Sequence, residues 1–352
     1  MSIVEIAKLA GVSTATVSRV LNGLPGVKEA TVDQVKTVLD QTGFKQRFQK
    51  KRKSSREKAL KTGNIALITL GYGVSWALKL PVMAAAVAGM QRGAMQNGLR
   101  FLLGEMPDTS KMSPLLSEGQ IDGAVVLVSG EVPTADVEPA LRAMQRHVPV
   151  VRAMGADLTG GVDYVMPDNV GIGYKAFQYL AGLGCSRFAF FTLQPQWPVV
   201  LTRGQAFLNS VYRQGMRPSC FVKSHAEQVI DPFGKYVVAK SDTEELVDAL
   251  VNSTDRPDGL FVATDRNTNR IYPLLAARGV RIGKDLQIVS CDNDEGQLSG
   301  LGPRPASFDI GAEEVGYRAV VRLLNRIERP HGPPLTIHVS ARLVTPDMVS
   351  AE

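Results

Sequence analysis

The chain has 352 residues, a formal charge of +6, 44% hydrophobic residues and 21% charged residues. That balance suits a soluble globular protein with a full core, and no apolar run is long enough to span a bilayer. Cys185, Cys220 and Cys291 are the chain's 3 cysteines; widely spaced and without a CxxC pair, they argue against a disulfide framework or a zinc site and suit a reducing cytoplasm. The basicity is local: between Lys45 and Lys61, Lys45, Arg47, Lys50, Lys51, Arg52, Lys53, Arg56, Lys58 and Lys61 face Glu57 alone. Such a concentration fits a polyanionic partner near the N-terminus. The opening MSIVEIAKLAGVS lacks a basic region followed by an apolar one, so no signal peptide is expected there.

The first predicted helix carries Ile3, Ile6, Ala7, Leu9 and Ala10 at helical spacing and ends at Gly11. Ser13 is a good N-cap for a second helix reaching Leu21, with Val17, Val20 and Leu21 inward and Thr14, Ala15, Ser18 and Arg19 outward. Asn22-Gly23 closes it, and a third amphipathic helix runs from about Glu29 to Gln41. Two short helices joined by a tight glycine-containing turn form a helix-turn-helix. Short Thr14 and Ala15 would let the second helix sit deep in a major groove, where its N-terminal amides and positive dipole face phosphate. Arg19 can reach guanine O6 and N7 or a phosphate; Thr16, Ser18 and Asn22 suit phosphate oxygens.

The segment IVEIAKLAGVSTATVSRVLNG resembles the headpiece of the lactose-repressor (LacI/GalR) family, whose pattern is IxDIAxxAGVSxxTVSRVLNG. The resemblance implies base reading by Thr14, Ala15 and Arg19, and phosphate contacts from Ser13, Thr16, Ser18 and Asn22. Lys28 and Thr31, at the start of the third helix, complete the candidate DNA set. Lys28 stands in place of the usual serine cap, and Val32 where an arginine is common.

After Phe44 the family pattern departs. Relatives carry a short hinge helix whose leucine wedges into the minor groove; this chain reads KQRFQKKRKSSREKALKTGN, longer and without proline. Two readings stand side by side. The segment is a basic linker adding salt-dependent affinity through phosphate neutralisation, or Ser55 caps a short helix that presents Leu60 as the wedge.

From Asn64 onward, strand-like runs alternate with helical patterns. IALITL (65–70) precedes a helix near Met83–Asn97; then come RFLLG, GAVVLV (123–128), VPVVRA (148–153) and YVMP (164–167). A helix at Gly171–Leu183 leads to FAFFTL (188–193), a helix at Arg203–Gln214, GLFVAT (259–264), a helix at Asn267–Arg278 and LQIVSC (286–291). The pattern predicts two doubly wound parallel-sheet subdomains with a ligand cleft beyond the strands' C-terminal ends. The expected boundaries are a headpiece at 1–44, a linker or atypical hinge at 45–63, and an effector and dimerisation domain at 64–352. Within the last, one subdomain takes about 64–157 plus 296–326 and the other about 158–295 plus 327–352.

This half also resembles the family's effector domain, which is similar to periplasmic sugar-binding proteins. Val162-Asp163-Tyr164-Val165 through Asp168-Asn169-x-Gly171, the Arg203–Gly215 stretch, Thr264-Asp265 and Cys291-Asp292-Asn293 carry the likeness. It implies that Arg203 and Asp292 hydrogen-bond a polar ligand, a pairing that suits vicinal sugar hydroxyls or an anionic group. Thr264 stands where many relatives have asparagine. Asp265 either caps the following helix or touches ligand, and Asp168 is read as a cap. Tyr72 and Trp76 follow the first strand, where relatives offer aromatic rings to a sugar face; Trp197 is a further candidate, each ring also fitting ordinary packing. Pro81 keeps a family position whose flanking residues have changed, and Met154 replaces a carboxylate of some sugar-binding members.

No GxSxG, HExxH, GxxxxGK[ST] or paired-histidine spacing is present, so the expectation is a non-enzyme without cofactor or metal. The C-terminal LVTPDMVSAE lacks heptads, which speaks against tetramerisation through such a segment. The reading is therefore a cytoplasmic, nucleoid-associated regulator, a repressor by resemblance, binding double-stranded operator DNA as a homodimer under a carbohydrate-like effector, with no membrane partner. The alternatives are a periplasmic-type solute sensor and a regulator whose effector domain no longer responds to ligand.

Overall fold

The computed structural model describes residues 2–21, 24–43, 59–128, 130, 132–155, 161–195, 197–223, 238–240 and 243–349. The chain divides into two units, Met1–Glu57 and Lys58–Glu352. Residues 45–58 of the expected 45–63 linker, with Ser55, lie outside the described residues, as does Asn22.

In the first unit, Ser2 opens helix α1 (Ile3–Leu9) with a capping box: Glu5 N donates to Ser2 Oγ, and Ser2 N donates to Glu5 Oε2 at 2.7 Å. Gly11 turns the chain with a φ of 60°, in the left-handed region that glycine enters without strain. Ser13 then caps α2 (Thr14–Leu21), its Oγ accepting from Thr16 N at 3.1 Å. Helix α3 (Glu29–Thr42) ends on Gly43 in the left-handed conformation. Ile6, Ala7, Ala10, Val17 and Val35 are the buried apolar residues where the three helices meet. Leu9, expected inward, is 60% exposed, because α1 turns only its 3–6–7–10 face to its neighbours.

The second unit contains two sheets. The elements of the first are β1 (Asn64–Leu70), α4 (Pro81–Gln96), β2 (Arg100–Met106), β3 (Gly123–Val128), α5 (Thr134–Gln145), β4 (Val150–Ala153) and β5 (Asp163–Pro167). The chain then builds α6 (Asn169–Gly182), β6 (Phe188–Thr192), α7 (Pro198–Arg213), β7 (Ser219–Lys223), β8 (Val238–Lys240), α8 (Thr243–Val251), β9 (Gly259–Val262), α9 (Asp265–Ala277) and β10 (Gln287–Cys291). It closes with β11 (Ala306–Asp309), α10 (Ala312–Glu328), β12 (Thr336–Val339) and β13 (Arg342–Val344). The first sheet has the order β12-β5-β4-β3-β1-β2 and is parallel throughout; the second is β13-β11-β10-β9-β6-β7-β8, with only β13 antiparallel. Buried runs such as Ile65–Leu70 and Gly123–Leu127 are the signature of strands covered on both faces.

The two parallel lobes agree with the sequence reading, but three strands sit elsewhere than its subdomain boundaries place them. β5 and β12, expected in the second subdomain, pair with each other in the first sheet; β11, expected in the first, pairs with β10 in the second. The physical reason is where the chain crosses. It passes between lobes immediately after β5, after β11 and after β12, so each crossing follows a strand instead of preceding it.

Glycines set the tight packing inside each lobe. A Cβ on Gly316 of α10 would stand 1.9 Å from Ala86 O of α4, and one on Gly89 of α4 would stand 1.8 Å from Glu313 O. In the second lobe a Cβ on Gly173 of α6 would lie 2.3 Å from Arg203 O of α7. Backbones meet directly at these points, which fixes where α7 presents its side chains.

Two buried carboxylates tie segments together. Asp163 of β5 accepts from Arg322 Nη2 (2.8 Å), Arg326 Nε (2.6 Å), Arg326 Nη2 (2.9 Å) and Leu335 N (2.7 Å). Burial alone would raise its pKa, but the hydrogen bonds from Arg326 and Arg322 win and hold the carboxyl below the usual range. Asp122 accepts from Lys61 N, Thr62 N and Gly63 N at 2.7–3.1 Å, clamping the chain where it enters β1. Just before that clamp, Ala59 and Leu60 are half-buried and pack against the apolar core.

Candidate DNA-reading helix and effector cleft

In the first unit, Ser13, Thr14, Ala15, Ser18 and Arg19 are exposed, and Thr16 is half-buried. Ser13 Oγ and Thr16 Oγ1 lie 2.9 Å apart and share a hydrogen bond, so the start of α2 is ordered before any ligand arrives. Lys28 precedes α3 without a side-chain cap bond, in keeping with the missing serine, and Thr31 is half-buried in the first turn. The base-facing candidates thus lie on the free face of a helix whose other face, through Val17, is held by the core.

In the second unit a cleft of about 540 Å³ lies at the C-terminal ends of the strands, within the range of small-molecule sites. Its second-lobe wall centres on Arg203, which is only 3% exposed. Arg203 Nε donates to Asn169 Oδ1 at 2.9 Å; Nη1 donates to Ala263 O at 3.0 Å and to Asp292 Oδ1 at 3.1 Å. Burial works against the guanidinium's charge, but the neighbouring Cys291 and Asp292 outweigh it and hold the pKa above the ordinary value. Asn169 follows Asp168, whose side chain accepts from Gly171 N at 2.9 Å and caps α6 as its motif predicts. The same Asp-Asn pair therefore starts the helix and orients the arginine. The second of these roles was not visible in the motif, because it depends on α7 packing against α6.

Asp292 and Asn293 follow β10 with φ of 111° and 50°, left-handed conformations that non-glycine residues adopt at a cost. Asp265 supports that turn from below. It is fully buried, accepting from Ser307 Oγ on Oδ1 and from Asp294 N on Oδ2, both at 2.7 Å, while Ser307 Oγ accepts from Asn293 N at 3.1 Å. Desolvation is the main cause raising the Asp265 pKa to about 7, with the Asp292 charge adding to it. Burial likewise raises Asp292, against the pull of Arg203.

Two expectations change here. Thr264, not Asp265, is the N-cap of α9, its Oγ1 accepting from Asn267 N at 3.3 Å. Asp265, the first residue of the helix, faces inward and does not line the cleft, whereas Thr264 and Asp292 do. Tyr72 is also not a lining residue. Its ring stands edge-on to Trp76 at 5.4 Å and packs against the core, its hydroxyl has no partner among the described residues, and burial raises its pKa.

Trp76, 45% exposed, and Trp197 both line the cleft. The pyrrole edge of Trp197 crosses to the first lobe, where a Cβ on Gly130 would lie 2.9 Å from its Cδ1. Sequence reasoning missed Gln194, Arg266, Asp294 and Gln297 on the second-lobe wall and Lys79 on the first. Gln194, Arg266, Asp294 and Lys79 each lie within three residues of a strand end or a candidate already singled out, so proximity was the available signal; Gln297 carried none.

Comparison with known proteins agrees with this geometry. Residues 2–46 match the family model described as bacterial regulatory proteins, lacI family, and residues 177–346 match the periplasmic binding protein-like domain. The ribose operon repressor of Escherichia coli (strain K12) is 24% identical over 335 residues, covering 93% of each chain. The catabolite control protein A of Priestia megaterium is 25% identical over 341 residues, again covering 93% of each. Among solved structures, the Lac repressor dimer bound to operator and the anti-inducer ONPF superposes with a TM-score of 0.64 at 17% identity, and the CelR–cellobiose complex with 0.61 at 24%; each covers 98% of both chains. The headpiece, the two parallel lobes and the cleft define a DNA-binding transcription regulator. The chain belongs to the LacI family of bacterial regulatory proteins, a family of regulators and not of enzymes. Among the described residues no helix is long and apolar enough to cross a membrane.

Proposed function

We propose that this protein is a cytoplasmic repressor that binds a pseudo-palindromic operator as a homodimer, with operator affinity set by a carbohydrate or carbohydrate derivative in the cleft. The observation that carries the DNA side is the exposed Thr14–Ala15–Arg19 face on a helix capped by Ser13. Thr14 and Ala15 enter the major groove, Arg19 reads a base edge, and Ser13, Thr16, Ser18, Asn22, Lys28 and Thr31 fix the register on phosphates. The basic segment at 45–61 adds sequence-independent affinity. The packing of Leu60 against its own unit favours this linker role over a minor-groove wedge.

On the effector side, Arg203 and Asp292 offer a donor and an acceptor side by side, as vicinal hydroxyls require. Thr264, Trp76 and Trp197 complete the contact set; Asp265 and Tyr72 support it from behind. The names of relatives lean the same way, with four ribose operon repressors and a cellobiose complex among them. Ligand shifts DNA affinity by binding one arrangement of the lobes more tightly than the other.

Operator selection from a random duplex pool, followed by titration of Arg19→Ala, tests the reading. The variant is expected to lose roughly 1–3 kcal/mol of specific binding and to keep its salt-sensitive binding to random DNA. Undiminished discrimination would remove Arg19 from base reading.

A further inference from the structure

The strands of the first sheet are all parallel, so they all begin at one end of the lobe, opposite the cleft. The exposed cations of this lobe sort by that end. Arg92, Lys111, Arg142 and Arg318, on the helices and after β2, each pair with a carboxylate, and Lys79 lines the cleft. Lys61, Arg100, Arg146 and Arg329 are equally exposed, yet none has an ion-pair partner among the described residues. All four stand where the strands start. Arg100 is the first residue of β2, and its N donates to Gly63 O at 3.0 Å, which sets it beside Lys61 where the chain enters β1. Arg146 and Arg329 are the C-caps of α5 and α10, the helices that lead into β4 and β12.

A cation at a helix C-terminus offsets the helix dipole, which would account for Arg146 and Arg329. It does not account for Arg100 or Lys61. The carboxylates at this end are already engaged: Asp122 by three backbone amides and Asp163 by two arginines. Glu118, which accepts from Gln120, and Glu328 are the other described acids there. From β2 to β12 the sheet edge spans roughly 24 Å at about 4.8 Å per strand. That is the length of about seven base pairs at 3.4 Å each. The same end receives the basic 45–61 segment, so covalent attachment keeps it close to any duplex the headpiece holds.

Resting on the DNA-binding role of the headpiece, we propose that the strand-start end of the first lobe is a second, sequence-independent DNA contact. Lys61, Arg100, Arg146 and Arg329 engage phosphates beside the stretch that α2 reads, and do so at the opposite end of the lobe from the cleft.

The full-length triple variant Arg100→Gln, Arg146→Gln, Arg329→Gln tests this, because it removes no ion pair. Binding to a 40-base-pair duplex of random sequence is followed by fluorescence anisotropy over a series of KCl concentrations. The slope of log affinity against log salt should become shallower by about 2 to 3, since each lost phosphate contact removes about 0.9. Affinity at low salt should fall by about tenfold or more. A control with the same charge change on the second lobe, Arg213→Gln, Arg217→Gln, Lys284→Gln, alters exposed cations far from this end and should change the slope by less than about 1. Should the triple variant fail to fold, the three single variants carry the test, each expected to change the slope by about 0.9. An unchanged slope overturns the inference, as does an equal change in the control, and either leaves the DNA-reading headpiece standing. Absence of any DNA binding by the wild-type protein overturns both.

Discussion

The headpiece and the effector cleft solve opposite problems. In the headpiece the candidate contact residues stand on the exposed face of α2, and only Val17 of that helix is buried. In the cleft the principal residues are buried and interlocked: Arg203 leans on Asn169, Ala263 and Asp292, while Asp265 holds the Asp292–Asp294 turn through Ser307 and a backbone amide. The candidate DNA-reading surface is thus nearly independent of stability, whereas the candidate effector surface is part of the fold. Changes of ligand specificity in this chain must be made without breaking a core; changes of operator specificity need not.

That contrast can be broken or sharpened by substitution. Arg203→Ala should have the largest effect, roughly 3–5 kcal/mol in urea-induced unfolding of the second unit, because it strands Asp292 and Asn169. A small loss would mean that the cleft tolerates change as the headpiece does. Gly173→Ala should cost about 1–3 kcal/mol, since its Cβ would meet backbone atoms of α7 at 2.3 Å. The same shift moves Arg203, so effector affinity should fall together with stability.

Next comes pH. Asp265, with its pKa raised by burial to about 7, binds more protons folded than unfolded from about pH 4 to pH 7. Stability of the second unit should therefore fall as pH rises through that window and level off above it, and Asp265→Asn should flatten the slope. Asp163 works in the opposite sense: its lowered pKa gives stability that is present above its unfolded pKa and lost as pH falls through the folded one. An unchanged slope in Asp265→Asn would show that its buried carboxyl is not the source. Smaller still, Leu60→Ala should cost about 1 kcal/mol from a half-buried site and leave DNA bending unchanged if the segment is a linker. Lost bending would restore the wedge. At the bottom of the scale, Arg19→Ala should leave the melting temperature within the noise of a surface change, about 0.5 kcal/mol or less.

The same contrast decides what could be read from sequence. The headpiece was legible because its contact residues and its core lie within one short stretch, where helical spacing and caps determine each side chain's face. The lobes were legible as alternating strands and helices, with GAVVLV matching β3 at both ends. Two helices went unread: α10, although Val315, Ala319, Val320, Leu323 and Leu324 form an apolar stripe at helical spacing, and α5, whose pattern is interrupted by Pro139. The cleft was legible only in part. Arg203 and Asp292 carry motif signals, but their partners Asn169 and Ala263 come from other segments, and Asp265's inward direction follows from where β11 brings Ser307. Strand membership at the lobe crossings was misjudged for the same reason: a crossing is a property of sheet order, which local pattern does not encode.

The small core of the headpiece has a thermodynamic consequence. Among its described residues Ile6, Ala7, Ala10, Val17 and Val35 are the buried apolar ones, a small hydrophobic surface to set against chain entropy. Anything that binds only its folded form adds stability in proportion to the logarithm of that ligand's concentration. Operator DNA is then more than the target of the three helices. Bound by the folded form alone, it would stabilise them, and the melting temperature of the headpiece should rise with operator concentration.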